Sequence, residues 1–282
     1  MPLTRTACRH CGHWHLWFAG RTPEACLVCS DVRNALPDDG FVFASSDAVA
    51  AEVESRWFEA LPGVWGFATE PRFGLGSIGW LIRAGDDPGA RNVAFEAAAW
   101  YSPHALARID SLGGIGALSC SHPHGMGALW QLQERFRPPV VAIHRDGVRF
   151  TKAFRVTWPW DDALELAPGL VLHHVGGHYE GHAVLHDAGR RALFAGDALK
   201  IDLDARGRPR ALSCHKAFHH AIPLSHGELR HYRRVFAELD FAHVFTPFEH
   251  AAGVSRAHAL ALFDRLLGGP PSAEPVPMEL LE

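Results

Sequence analysis

The chain has 282 residues, 48% of them hydrophobic, with 27 Lys plus Arg set against 31 Asp plus Glu. That composition excludes disorder as the main state and is ample for a buried core, either one large α/β domain with a small appendage or two modest domains. A formal charge of −4 gives no electrostatic ground for nucleic acid or an anionic membrane surface as the principal partner. No apolar run approaches the roughly 20 residues that span a bilayer. The opening residues Met1 to His15 lack the apolar stretch of a secretory signal, so the cytoplasm is the expected compartment. Only Lys152, Lys200 and Lys216 are lysines, which reads as codon bias in a GC-rich genome, not as an arginine recognition surface. The 20 histidines point to metal chemistry, since imidazole is the side chain most used to hold transition metals.

Four of the six cysteines fall in the first 29 residues, as Cys8-x-x-Cys11 and Cys26-x-x-Cys29. Each turn aims two thiolates at one point, so the pair builds a closed tetrahedral cage, and a zinc-ribbon-like segment is predicted over residues 1–35. The segment is too short to fold on apolar burial, and a reducing cytosol disfavours disulfides, so metal binding is expected to supply its folding free energy. Structural Zn2+ is the plain expectation. The alternative is a rubredoxin-like iron that passes electrons onward, suggested by Cys11-Gly12. The second turn, Cys26-Leu-Val-Cys29-Ser30, lacks the following glycine, which favours zinc. His10, His13 and His15 are expected at the surface. Residues 36–60 read as a linker, with a turn at Pro37-Asp38-Asp39-Gly40, a short helix around Ala48 to Phe58, and a domain boundary near residue 60.

Further along, Gly79 to Arg83 and Asn92 to Glu96 read as strands joined by the breakers Asp86-Asp87-Pro88-Gly89. Ser102-Pro103 starts a helix as N-cap and first helical position, and Gly113-Gly114 ends it. A buried strand, Ile115 to Cys120, runs into Ser121-His122-Pro123-His124. Two histidines at i and i+2 leaving a strand point to one side and suit two ligands of one metal. A second strand, Leu170 to Val175, ends in Gly176-Gly177-His178-Tyr179-Glu180-Gly181-His182, and a third, Ala192 to Ala195, ends in Gly196-Asp197. Three strand ends therefore each deliver a metal-ligating residue type, two of them after glycines that permit tight turns.

His122-Pro-His124, Gly-Gly-His178 and Leu-Phe-Ala-Gly-Asp197, in that order, resemble the metallo-β-lactamase superfamily. The resemblance implies a four-layer αββα sandwich over residues 61–270, preceded by the zinc-knuckle segment and followed by a tail at 271–282. It also implies that His122, His124 and His178 hold one metal, with Asp197 as a bridging or fourth ligand. The family's H-x-H-x-D-H motif is broken here, because Met126 and Gly127 occupy its Asp and third His positions, which puts a second metal in doubt and leaves one Zn2+ or Fe2+ expected in the cleft. The late family ligand falls at His250, an ordinary surface histidine being the alternative. His182 can approach from the same loop as His178, and the Cys214 to His220 segment is expected as a solvated histidine cluster.

One cation is expected to supply Lewis acidity and, as a metal-bound hydroxide, the nucleophile for hydrolysis of an ester, lactone or thioester-like small molecule. Asp197 would complete the coordination or take the water's proton, and His250, His182 and Tyr179 are the candidate acids for the leaving group. Trp158, Trp160 and Phe218 are either a pocket wall or core. Two rivals stay open: a mononuclear Fe(II) oxygenase resembling persulfide dioxygenases, and a non-catalytic module that binds a small ligand or a protein through the old cleft. The expected partner is a small-molecule substrate, with oligomerisation left open. Ser225 to Leu239 and Ser255 to Leu267 read as amphipathic outer helices, and the tail after Gly268-Gly269-Pro270-Pro271 as loose or packed on a neighbouring subunit.

Overall fold

A computed structural model describes all residues except 35, 39 and 86–90. The turn expected at 86–89, and Asp39 of the turn at 37–40, lie outside the described residues. The chain divides into two compact units, Met1–Trp160 and Asp161–Glu282.

In the first unit a small sheet sets strand Leu3–Cys8 between Trp14–Phe18 and Phe43–Ser45. A seven-stranded sheet follows, in the order Trp158–Trp160, Val140–His144, Ile115–Ser119, Asn92–Phe95, Gly79–Ile82, Val64–Glu70, Glu54–Leu61. Gly79–Ile82 and Asn92–Phe95 pair antiparallel, as the breakers between them predict. The centre of the sheet is parallel, because helices Pro103–Ser111 and Leu129–Phe136 each carry the chain back across it. Ser102 starts the first of these as expected, its side chain accepting from the Ala105 N–H with Pro103 behind it. Parallel strands share one carboxyl edge, and that edge is where Glu96 and His122 leave the sheet.

The linker expectation is corrected here. The helix is shorter, Ser46–Glu52, and Glu54–Leu61 is an edge strand whose hairpin partner is Val64–Glu70. A boundary at residue 60 therefore falls inside a strand of the main sheet.

The second unit carries a six-stranded sheet, ordered Ala163–Ala167, Leu170–His174, Ala183–Asp187, Ala192–Phe194, His243–Phe245, His250–Ala252. Helices His226–Ala237 and Arg256–Leu267 form where expected, each closed by a capping box, Ser225 with Glu228 and Ser255 with His258. They bury Tyr232, Phe236 and Phe263 with Phe241 in one core. The tail is not loose but folds back on its own unit. Val276–Pro277 pairs with Pro209–Ser213, and Leu281 is buried. Each unit thus joins a large sheet to helices, the α/β class expected from the sequence. Among the described residues no helix is long and apolar enough to cross a membrane.

Candidate metal centres

The four N-terminal cysteines are buried. Gly12 N–H donates to the Cys8 carbonyl at 2.8 Å and Ser30 N–H to the Cys26 carbonyl at 2.9 Å, closing two similar turns. Cys8 Sγ lies 3.9 Å from Cys29 Sγ, and Cys11 Sγ lies 3.7 Å from Cys26 Sγ. A disulfide would need about 2.05 Å, whereas a tetrahedron with ~2.3 Å metal–sulfur bonds has edges of ~3.8 Å. The thiols therefore fit a four-coordinate ion. Hydrogen bonding from Cys11, then Cys29 and Cys8, draws Cys26 far below the ordinary thiol range, while the same contact with Cys26 pushes Cys11 up. Cys8 is drawn down as well, first by its contact with Cys11, while Cys29 is held up. His10 is exposed as expected, but His13 and His15 are buried. Burial, followed by the nearby His15, pulls His13 down to about 4.

His122 and His124 do not sit on strand alternation. His122 is extended, at φ −160°, and His124 lies one turn on in the 3-10 segment Pro123–Met126, so the two rings stand nearly perpendicular with centroids 5.3 Å apart. Ser121 holds the first of them. Its hydroxyl donates to the Glu96 carboxylate, so it must accept from the Nδ1–H of His122 at 2.7 Å. This assigns the His122 tautomer and leaves Nε2 with its lone pair for a metal. Glu96 was not identified as a site residue in the sequence. It is fully buried in a left-handed conformation, φ 63°, and also accepts from the Ser121 N–H. Burial, with a smaller part from the Arg33 charge, takes His122 down to about 3, so the ring is neutral as a ligand must be.

In the second unit His178 is oriented in the same manner. Its Nδ1–H donates to the His215 carbonyl at 3.1 Å and its backbone N–H to the Tyr232 hydroxyl, which donates to the Gly176 carbonyl at 3.0 Å. Nε2 of His178 then lies 3.4 Å from Oδ2 of Asp197. Ligands on ~2.1 Å bonds of a tetrahedron are ~3.4 Å apart. His122 and His124 in the first unit and His178 and Asp197 in the second make up the second group of buried side chains, among the described residues, that could hold a metal ion.

Three sequence candidates are placed differently. His182 Nε2 accepts the Asp197 backbone N–H at 3.2 Å, so this ring shapes the turn that carries Asp197. Tyr179 is buried with its ring edge on His178, at 5.3 Å between centroids. His250 stacks on Phe245 at 4.2 Å, opposite it in the hairpin register, and does not belong to the group of four. Glu249 beside it, unmarked in the sequence, accepts the Ile201 N–H at 3.2 Å, and burial raises its carboxyl, with the Asp197 charge adding to the shift. The Cys214 to His220 segment is solvated only at its far end. Cys214 and His215 are buried, and Phe218 packs on both His178 and His215. Trp160 is core, whereas Trp158 is exposed.

Residues 75–252 match the family model of the metallo-beta-lactamase superfamily, a span that takes in all four grouped side chains. An uncharacterized protein of Bacillus subtilis (strain 168), YmaE, is 28% identical over 205 residues, 70% of this chain and 73% of that protein. The metallo-β-lactamase FIM-1 from Pseudomonas aeruginosa, in its mono-zinc form, is similar over 77% of this chain and 96% of its own, with a TM-score of 0.53 and 16% identity. The rubredoxin oxygen:oxidoreductase of the anaerobe Desulfovibrio gigas is similar over 77% of this chain and 63% of its own, with a TM-score of 0.51 and 14% identity. Likeness at these identities carries the fold alone, and that fold is the sandwich expected from the sequence.

Proposed function

The chain belongs to the metallo-β-lactamase superfamily, and from that premise we propose that it is a mononuclear metal-dependent hydrolase of an ester, lactone or thioester-like small molecule. The observation that carries this is that each unit holds part of a buried ligand set, His122 beside His124 in the first and His178 3.4 Å from Asp197 in the second. His122, His124, His178 and Asp197 would hold the ion, Zn2+ or Fe2+. When bound it supplies Lewis acidity toward a carbonyl oxygen and lowers the pKa of water toward roughly 7. The chain's own part is positional. Ser121 and the His215 carbonyl fix His122 and His178 with Nε2 available, so neither ring needs to turn during the reaction. Asp197, pinned through its backbone to His182, offers a carboxylate oxygen to take a proton from the attacking water. The four-cysteine centre would hold structural Zn2+.

A second reading, a mononuclear iron oxygenase, is favoured by one observation: Met126 and Gly127 stand where a second metal's ligands belong in the family motif. Protein purified without oxygen, analysed for metal per chain and assayed on esters, lactones and thioesters, separates the two. Hydrolysis with zinc, lost together with one metal equivalent in His178→Ala, is the expected result. Stoichiometric iron with oxygen consumption would transfer the assignment to the oxygenase. Undiminished metal content in His178→Ala would remove both.

A further inference from the structure

One loop, Glu96 to Trp100, serves two neighbours at once within the first unit. Toward the ligand turn, Glu96 receives the Ser121 hydroxyl, the Ala97 N–H donates to the Gly125 carbonyl at 2.8 Å, and the Ala98 carbonyl accepts the Ala128 N–H at 2.8 Å. Gly125 and Ala128 bracket the end of the turn that carries His122 and His124. Toward the cysteine knuckle, the Ala99 carbonyl accepts the indole N–H of Trp14 at 2.8 Å, and Trp14 packs against both Trp100 and Trp130, which also touch each other. Gly12, between Cys11 and His13, closes the contact. It stands at φ 81°, a Cβ on it would lie 3.1 Å from the Ala99 Cβ, and a Cβ on Gly74 would fall on its backbone, with the Cys11 carbonyl carbon at 2.7 Å. Five consecutive residues thus clamp the His-bearing turn on one side and the cysteine turn on the other. Buried His13 also lies within electrostatic reach of the Pro123 carbonyl, between the two ligand histidines.

We infer that Gly12 and Trp14 are positioning residues for the His122/His124 pair, so that filling the four-cysteine site sets the metal affinity of the catalytic centre. This rests on the ligand assignment made above. The reason is mechanical. A four-thiolate site folds with its metal, and the filled knuckle holds the 96–100 loop through the Trp14–Ala99 bond and the Gly12 contact. The loop, so held, presents its carboxylate and two backbone groups to the ligand turn already in place. Outer groups of this kind are typically worth about 10–100-fold in metal affinity. Such coupling is reciprocal, so an ion at the catalytic centre tightens the four-cysteine site by the same factor.

The test uses the full chain in two preparations: Co2+ alone, whose thiolate-bound form gives an intense near-ultraviolet charge-transfer band, follows the four-cysteine site, and Co2+ added after Zn2+ has filled that site gives visible bands from the catalytic centre alone. Trp14→Phe keeps an aromatic ring against Trp100 and Trp130 and removes the bond to Ala99, and Gly12→Ala opens the contact with Ala99. Both are expected to keep the thiolate band at full intensity while the visible bands require about tenfold more Co2+ in chelator competition. Trp17→Phe, on the same strand, should match the wild type. If Gly12→Ala fails to fold, Trp14→Phe decides alone. Equal affinity at the catalytic centre in wild type, Trp14→Phe and Gly12→Ala, with the thiolate site filled, would overturn the inference. A His178→Ala variant with undiminished visible bands would instead show that the ligand assignment itself had failed.

Discussion

Removal of the Ser121 hydroxyl is the sharpest probe of how the ligand turn is held. Ser121, Glu96 and His122 are each at most 3% exposed, so solvent screening gives no relief. The hydroxyl makes one bond to a carboxylate and one from a neutral imidazole N–H. Bonds to charged groups are worth about 1.5–3 kcal/mol and neutral ones about 0.5–1.5 kcal/mol. Ser121→Ala should therefore destabilise the fold by about 2–4 kcal/mol. It also frees the His122 ring to turn, which should weaken metal binding by about 10–100-fold. Glu96→Gln leaves Ser121 a neutral acceptor of the same shape and should cost about half as much. The two changes share one interaction, so the double variant should fall short of additivity by about 1–2 kcal/mol, within the range seen for residues in one network. Urea unfolding of the four chains and calorimetric metal titration supply both cycles. Additive effects, or a Ser121→Ala chain that binds metal within about twofold of wild type, would refute the relay.

Two further outcomes follow from buried groups. Met126→Asp with Gly127→His restores the family motif by letter, yet the double variant should lose stability and gain no ion per chain over the wild type by elemental analysis, because a Cβ at 127 would fall on the Ala97 carbonyl and 2.6 Å from that of Ala98. His13, near 4 when folded against 6.5 in the open chain, is neutral in the fold. The group costs the fold nothing above about pH 6.5, and as the pH falls to 4 the stability lost through it grows to about 3 kcal/mol. His13→Gln should flatten that part of the stability profile in calorimetric scans between pH 7 and 4, and unchanged acid sensitivity would show that another group governs it.

The elements that carry ligands were legible because their signals are contiguous. A short apolar strand followed at once by His122-Pro-His124, by Gly-Gly-His178 or by Gly-Asp197 states both the element and the chemistry. Glu96 was not legible as a site residue. A carboxylate at a strand end followed by three alanines has no periodic signature, and its role exists only through Ser121, 25 residues later. Arg56 to Leu61 contains helix formers, and the predicted helix ran into it, but hairpin pairing with Val64–Glu70 overrides that propensity. Between Glu249 and His250 the sequence offers no choice. The register that sets Phe245 opposite His250 fixes the imidazole on that ring, and register is decided by the turn between the strands.

The broken motif has a physical counterpart in the ligand turn. Where relatives in the family would place an aspartate and a histidine, this chain has a buried methionine and a glycine at φ 32° that lets backbone approach backbone. That approach is the one that brings Ala97 and Ala98 against Gly125 and Ala128. A side chain at 127 is incompatible with it, so the departure from the motif and the clamp on the ligand turn are two aspects of one packing arrangement. The same loop then receives Trp14 from the cysteine knuckle. Restoring a second set of ligands would require that loop to withdraw, and the support for His122 and His124 would withdraw with it.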